Sequence, residues 1–374
     1  MSAAVKNVLI IGGGFSGMSA AIQLRKKGIE VDLVEIDPGW RSYGAGITIG
    51  GPSLRALNEV GVLDDVKTRG YCSEGVDLFS AEGHPIAQLP TPSCGPGVPG
   101  SGGIMRQDLA KILANATRES GTGVRLGCTF SEIYPSDDEV RVQFTDGSSG
   151  SYDLVIGADG LYSSTRQAVF PDAPVPRFTR QGVWRAVAPL GDVERAAMFM
   201  GRNTKAGFNP ISDDQLYLFV TEDRPENLRI PDEELLPRLS QLLEEFSAPV
   251  IRRIADSLGP DSLICYRPLE GLLMPRPWYK NRVLLIGDAV HATTPHLASG
   301  AGIGIEDAIV IAEELAATDN LEIALEAFQD RRWERCRMVV ENSARLGEIE
   351  VTGGDRQEHG RIMGESMQAL AQPI

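Results

Sequence analysis

The chain has 374 residues, 42% of them apolar, with 36 basic against 51 acidic side chains and a formal charge of −15. At ~150 residues per domain that length suggests about two coupled cores, and the negative balance disfavours nucleic acid or anionic lipid and leaves a small molecule as the expected partner. The five scattered cysteines form no C-x-x-C pair, no run reaches the ~20 apolar residues of a bilayer span, and the glycine-rich start lacks a signal-peptide cleavage site, so a soluble cytoplasmic protein with reduced thiols is expected.

Val5 to Ile11 is predicted as a buried strand, and Ser16 to Lys27 as a helix with Met18, Ala21, Ile22 and Leu24 on one face, closed by Gly28. A second strand begins at Glu30 and finishes near Glu35. Between the first strand and the helix stands Gly12-Gly13-Gly14-Phe15-Ser16-Gly17, a G-x-G-x-x-G in the setting that dinucleotide binding requires, with Glu35 18 positions after Gly17. Gly12 permits the tight turn, Gly14 admits a pyrophosphate to the backbone and helix N-terminus, Gly17 lets helix and strand pack closely, and Glu35 can accept from a ribose hydroxyl. Gly95 to Gly100 spells the same letters, but no predicted strand precedes it and Pro96 and Pro99 remove amide donors. It is read as a loop.

Tyr152 to Ile156 is a further apolar strand running into Gly157-Ala158-Asp159-Gly160, and Arg282 to Ile286 another, running into Gly287-Asp288 and a glycine-rich helix start at Ser299 to Gly304. A strand followed at once by Gly and Asp sets a carboxylate at the edge of a parallel sheet where open α/β folds bind ligands. Taken singly, an aspartate after a strand is usually a helix cap or turn former. Gly75 to Gly100 and Arg177 to Gly271 instead show strand-like alternation, as in DQLYLFV, predicting a second, antiparallel layer. From about Leu321 the chain is predicted to be helical, with Trp333, Met338, Val339 and Leu346 as a packing stripe. His291 and His296, five apart with Pro295 between them, lack metal-ligand spacing, and His291 is read as a packed structural residue.

In this order and at these intervals, the three turns resemble the single-component FAD-dependent aromatic hydroxylases, the para-hydroxybenzoate hydroxylase-like flavoprotein monooxygenases, from Val5 to about Arg335. GGGFSG looks like the family's ADP-binding fingerprint, GADG its central Asp-Gly motif, and LIGDAVHATTPHLASGAGIGIEDAIVIAEEL its Gly-Asp motif with the flavin loop and helix. The resemblance implies an α/β fold: a Rossmann-like FAD-binding domain (1–74, 101–176 and 272–335), an inserted antiparallel-sheet substrate domain (75–100 and 177–271) and a C-terminal helical segment (336–374). It further implies that Arg41, Ala45, Gly46 and Arg106 lie along the flavin, that Asp288 holds its ribityl chain, and that Pro295 shapes the loop beside the ring. The amides of Gly300, Ala301 and Gly302 would then face the pyrimidine edge. Ser299 departs from the family, many of whose members carry Gln there.

For the substrate, Arg185 after Trp184 is similar to a Trp-Arg pair of the family, Lys205 and Tyr217 to a cation and tyrosine of members acting on oxidised heterocycles, and Thr48 stands where others place a histidine. The implied activity is hydroxylation of a small phenolic or N-heteroaromatic compound, with FAD bound, NAD(P)H as co-substrate, O2 added to the ring as a C4a-hydroperoxide, and Asp159 coupling reduction to binding. Epoxidation, tetracycline-type hydroxylation and non-catalytic dinucleotide binding stand as alternatives. A monomer or homodimer is expected.

Overall fold

The computed structural model describes residues 4–202 and 204–374. Its first layer is a six-stranded sheet in the spatial order Tyr279–Lys280, Val283–Leu285, Leu154–Gly157, Asn7–Ile11, Glu30–Glu35, Gly123–Leu126, parallel except at the Tyr279–Lys280 edge. Val8, Leu9, Ile10, Leu154, Val155, Ile156, Leu284 and Leu285 are fully buried, as strands covered on both faces must be. The helices Phe15–Lys26 and Gly300–Ala317 pack on this sheet and on each other.

The topology brings the three turns together. Asn7–Ile11, Leu154–Gly157 and Val283–Leu285 are adjacent and parallel, and their registers align Ile11 with Gly157 and Gly157 with Leu285. Gly12, Ala158 and Ile286 therefore leave the sheet side by side at one edge.

A second, seven-stranded sheet is built from Val76–Ser80, Pro85–Leu89, Arg177–Pro189, Ala196–Met200, Lys205–Pro210, Gln215–Asp223 and Ile264–Gly271. It is antiparallel except where Val76–Ser80 pairs with Ala196–Met200. One face buries Trp184, Ala186, Leu216, Leu218 and Val220 against the helices Asp232–Leu243 and Pro249–Ser257. The other face, carrying Arg185, Tyr217 and Phe219, looks the opposite way because strand side chains alternate. A small sheet of Gly46–Gly50, Ser101–Met105 and Tyr71–Ser73 lies against that second face. Gly46 is obligatory there, since a Cβ would stand 2.5 Å from the Tyr217 Cβ.

The helix Leu321–Thr352 is capped by the Asn320 side chain and ended by Gly353 at φ 63°, and Asp355 caps the last helix, Arg356–Ala371. Its Met338, Val339 and Leu346 pack into the core with Trp333. The stretch Gly95 to Gly100 contains no strand or helix. Among the described residues no helix is long and apolar enough to cross a membrane.

Candidate active site

Each fingerprint glycine answers a distinct steric demand. Gly12 has φ 107°, and a Cβ on it would lie 2.5 Å from the Ala158 carbonyl oxygen. A Cβ on Gly17 would lie 2.1 Å from the Gly12 oxygen, so helix and turn touch through backbone. Around Gly14 only the Ala158 oxygen comes within 4.0 Å, which leaves the helix start open. The first amides of any helix lack internal partners, and no side chain caps this one or places an acid in its first turn. The result is an anion-seeking backbone cradle. Glu35 accepts from the Gly13 amide at 2.7 Å and the Asp37 amide at 2.8 Å, which positions its carboxylate beside the cradle with acceptor capacity left.

The late Gly-Asp turn joins this cradle through Ser16, whose Oγ sits 2.4 Å from where a Gly287 Cβ would be and 2.2 Å from where a Gly304 Cβ would be. Pro295–Leu297 forms a single 3-10 turn, Ala298 follows at φ 47°, and Gly300–Ala317 begins with no side-chain cap. The amides of Gly300, Ala301 and Gly302 therefore form a second donor row. Gly302 is held by contact with Ser53, 2.1 Å from its notional Cβ.

Asp288 faces this space. It has accessible surface and yet is ringed by protein, as a side chain lining a deep cleft is. Burial pushes its carboxyl up, against the pull of His291 and Arg106; the full push arrives only when a ligand displaces the cleft's water. The Arg106 guanidinium lies 4.9 Å from the centre of the Phe15 ring; burial lowers its pKa while Asp288 supports the charge. Beyond them Arg185 Nε donates to Tyr217 Oη at 2.9 Å, within an apolar wall of Ala45, Ile211, Val187 and Phe219. Past the cradle the chain thus gathers two cations, Arg106 and Arg185, one phenol and apolar side chains.

Known proteins share this arrangement. Residues 6–343 match the family model described as FAD binding domain. The chain is 33% identical over 355 residues to 2-heptyl-3-hydroxy-4(1H)-quinolone synthase of Pseudomonas aeruginosa, covering 92% of this chain and 90% of that one. It is 28% identical to 3-amino-4-hydroxybenzoate 2-monooxygenase of Streptomyces cremeus, covering 91% and 86%. In fold it matches Klebsiella pneumoniae HpxO complexed with FAD and uric acid, with TM-score 0.81 at 24% identity over 98% and 93% of the two chains. The chain belongs to the FAD-dependent monooxygenases. It is an FAD-dependent hydroxylase, and the free amide rows and the open space at Gly14 fit that cofactor.

Four expected site residues of this monooxygenase make side-chain contacts within the protein. The Asp159 carboxylate turns toward the short helix Ser164–Val169 that follows it, accepting from Ser163 Oγ, from the Thr165 amide at 2.9 Å and from Thr165 Oγ1 at 3.0 Å. Its backbone, against Gly12, is what borders the cradle. Asp159→Ala should accordingly lower stability by about 1–2 kcal/mol through the lost cap, read as a lower midpoint in urea. Arg41 makes a two-pronged pair with Asp37, at 3.0 and 2.9 Å, in an exposed loop beside Tyr43. Lys205 is not paired in space with Tyr217: the register sets Asn209 opposite Tyr217 and Lys205 opposite Thr221, and Lys205 Nζ meets Glu350 at 2.6 Å. Thr48 accepts from Asn209 Nδ2 at 3.3 Å, tying the small sheet to the large one.

Behind the Gly-Asp turn lies a buried charge cluster that pattern reading missed. Asp307 accepts from the Gly287 amide at 2.9 Å, contacts His291 Nε2 at 2.5 Å and receives Arg332 Nε at 2.8 Å, all three side chains fully enclosed. Burial raises the Asp307 carboxyl, but His291 and Arg332 outweigh it and hold the group at about 2. His291 is pushed well up by Asp307 against its own burial. His291, Asp307 and Cys336 bring ligand atoms within 4.8 Å of one another, yet the Arg332 guanidinium already supplies the cation there. The available signal was Glu306-Asp307 standing inside the otherwise apolar helix GIGIEDAIVIA.

Proposed function

We propose that this chain uses NAD(P)H and O2 to hydroxylate a small aromatic or N-heteroaromatic compound carrying a phenolic or acidic group. The observation that carries the reading is Arg185 donating to Tyr217 inside an apolar wall at the end of the FAD trough. Its relatives include one enzyme named for making a hydroxyquinolone and others named for acting on an aminohydroxybenzoate and on urate, all polar-substituted rings.

FAD, once bound, would pass the two electrons of NAD(P)H to O2 and so activate it. The residues that would hold it are the amides at Gly14 and at Gly300 to Gly302, the carboxylates of Glu35 and Asp288, and Arg106. Because Arg185 donates to the Tyr217 oxygen, the phenol's own proton points elsewhere and is polarised, available to a substrate oxygen. The guanidinium stabilises negative charge on that oxygen, and a phenolate-like ring is the more electron-rich one. Ala45, Ile211, Val187 and Phe219 exclude water from the same place.

The test is a panel of hydroxylated benzoates, pyridines and quinolones, scored by stimulated NADH or NADPH consumption. Arg185→Met should keep FAD and lower substrate-stimulated turnover about 100-fold, in line with loss of one charge-stabilising donor. A panel that leaves reductant consumption at its substrate-free rate would refute the reading.

A further inference from the structure

The substrate-side face of the large sheet continues past Arg185 and Tyr217. The register puts Lys205 opposite Thr221 and Gln181 opposite Asp223 on that face. The helix Leu321–Thr352 closes this end: Gly347 packs on His296 and Gln181, and Glu350, one turn further on, makes the polar contacts. Its carboxylate lies 2.6 Å from Lys205 Nζ, 3.3 Å from His296 Nε2 and 3.2 Å from His359 Nε2, and accepts from Gln181 at 3.4 Å. His296 follows Pro295 directly, and its Nδ1 stands 2.9 Å from Thr294 Oγ1. One carboxylate therefore ties the sheet, the flavin loop and both C-terminal helices.

The charges on this face do not balance uniformly. Lys205 and Glu350 cancel, their side chains 12% and 11% exposed. Arg185 bonds Tyr217, and no carboxylate pairs with it among the described residues. Asp223, packed at the same end, has its carboxyl raised by burial and by Glu350. Arg185 and Lys205 are two strands and two residues apart, about 12 Å between backbones. Two long side chains can narrow that gap to the span of a ring carrying two acidic groups.

We infer that Glu350 is a specificity-determining residue of the pocket: by neutralising Lys205 it leaves Arg185 as the cation offered on this face, and so selects aromatic substrates with one acidic group over those with two. This rests on the aromatic-substrate reading above. Glu350 acts on a substrate through Lys205 and His296 and is a positioning residue for both.

The experiment uses the FAD-loaded protein, with 4-hydroxybenzoate as the monocarboxylate probe and 4-hydroxyisophthalate as the dicarboxylate probe, each titrated by its perturbation of the flavin visible spectrum. Wild type should favour the monocarboxylate. Glu350→Gln should tighten the dicarboxylate about tenfold with little change for the monocarboxylate, Glu350→Asp should keep the wild-type ratio, and Lys205→Gln/Glu350→Gln should return to it. An equal ratio in wild type and Glu350→Gln overturns the inference. If Glu350→Gln does not retain FAD, Lys205→Gln decides: the exposed carboxylate should weaken the dicarboxylate about tenfold more than the monocarboxylate, and an unchanged ratio counts against the inference. If neither probe binds wild type and the panel above also leaves reductant consumption at its substrate-free rate, the aromatic reading is what has failed. The charge pairing is then read from the FAD midpoint potential, which should move positive in Glu350→Gln, negative in Lys205→Gln and back in the double variant. A flat series overturns it.

Discussion

Gly12→Ala should give a protein that retains no FAD through gel filtration. The residue has φ 107°, a region that a side-chain-bearing residue enters at a cost of about 1–3 kcal/mol. Its Cβ would also stand 2.5 Å from the Ala158 oxygen and 2.9 Å from the Asp159 Cα, backbone atoms of the turn leaving the neighbouring strand Leu154–Gly157 that no rotamer change moves. Relief requires the turn to swing away from the sheet edge, and the donor row at the helix start goes with it. Gly14→Ala separates this from the loss of space alone. There the new Cβ meets only the Ala158 oxygen at 4.0 Å, so the melting temperature of the FAD-free protein should match wild type while FAD affinity falls at least about tenfold, because the methyl occupies the cradle. A Gly12→Ala protein with wild-type melting temperature and one FAD per chain would show that the turn is not where the cofactor lies.

The second large effect belongs to Asp307→Asn. The substitution removes one partner from a fully enclosed group of charges, a change that costs about 3–5 kcal/mol because His291 loses its counter-charge and Arg332 keeps only Glu306, at 2.9 Å. It also weakens the acceptor that holds the Gly287 amide at 2.9 Å, so FAD should be bound less tightly as well as the fold being less stable. The pH dependence has a definite sign. His291 is raised in the fold, so its contribution is complete below about 6.5, its unfolded value, and fades as pH climbs through the raised one. Asp307 is depressed to about 2, so its contribution is complete above its unfolded value of about 3.9 and is lost as pH falls through about 2. Urea midpoints of wild type should therefore hold from about pH 4 to about pH 6.5 and decline above it, and Asp307→Asn should lack the His291-linked part of that decline. Parallel curves for the two proteins would mean the pair is not formed.

What was legible in the sequence follows from how local each constraint is. Gly12, Gly14 and Gly17 announce themselves because a strand, a turn and a helix start fall within a dozen residues, and the backbone demands at each glycine are set by those neighbours. The loop at Gly95 to Gly100 was legible for the same reason, since proline forbids the helix there. Asp159 shows where the method stops. The same aspartate after a strand serves as ligand or as cap, and only the hydroxyls of Ser163 and Thr165 decide which. Lys205 fails differently: its partner Glu350 is 145 residues away on another element, and no local period encodes that meeting. The register of Lys205–Pro210 against Gln215–Asp223 also separates it from Tyr217, which letters alone do not reveal. The Asp307 cluster has the same long-range character, with Arg332 25 residues distant.

The most direct test of the whole account is to run the reaction under 18O2 with NAD(P)H and the panel compound that best stimulates reductant consumption, and to weigh the product by mass spectrometry. The account predicts a product carrying a single 18O atom, with one reductant consumed for each product formed. An unlabelled product, or reductant consumption that yields hydrogen peroxide and returns the aromatic compound unchanged, would contradict it.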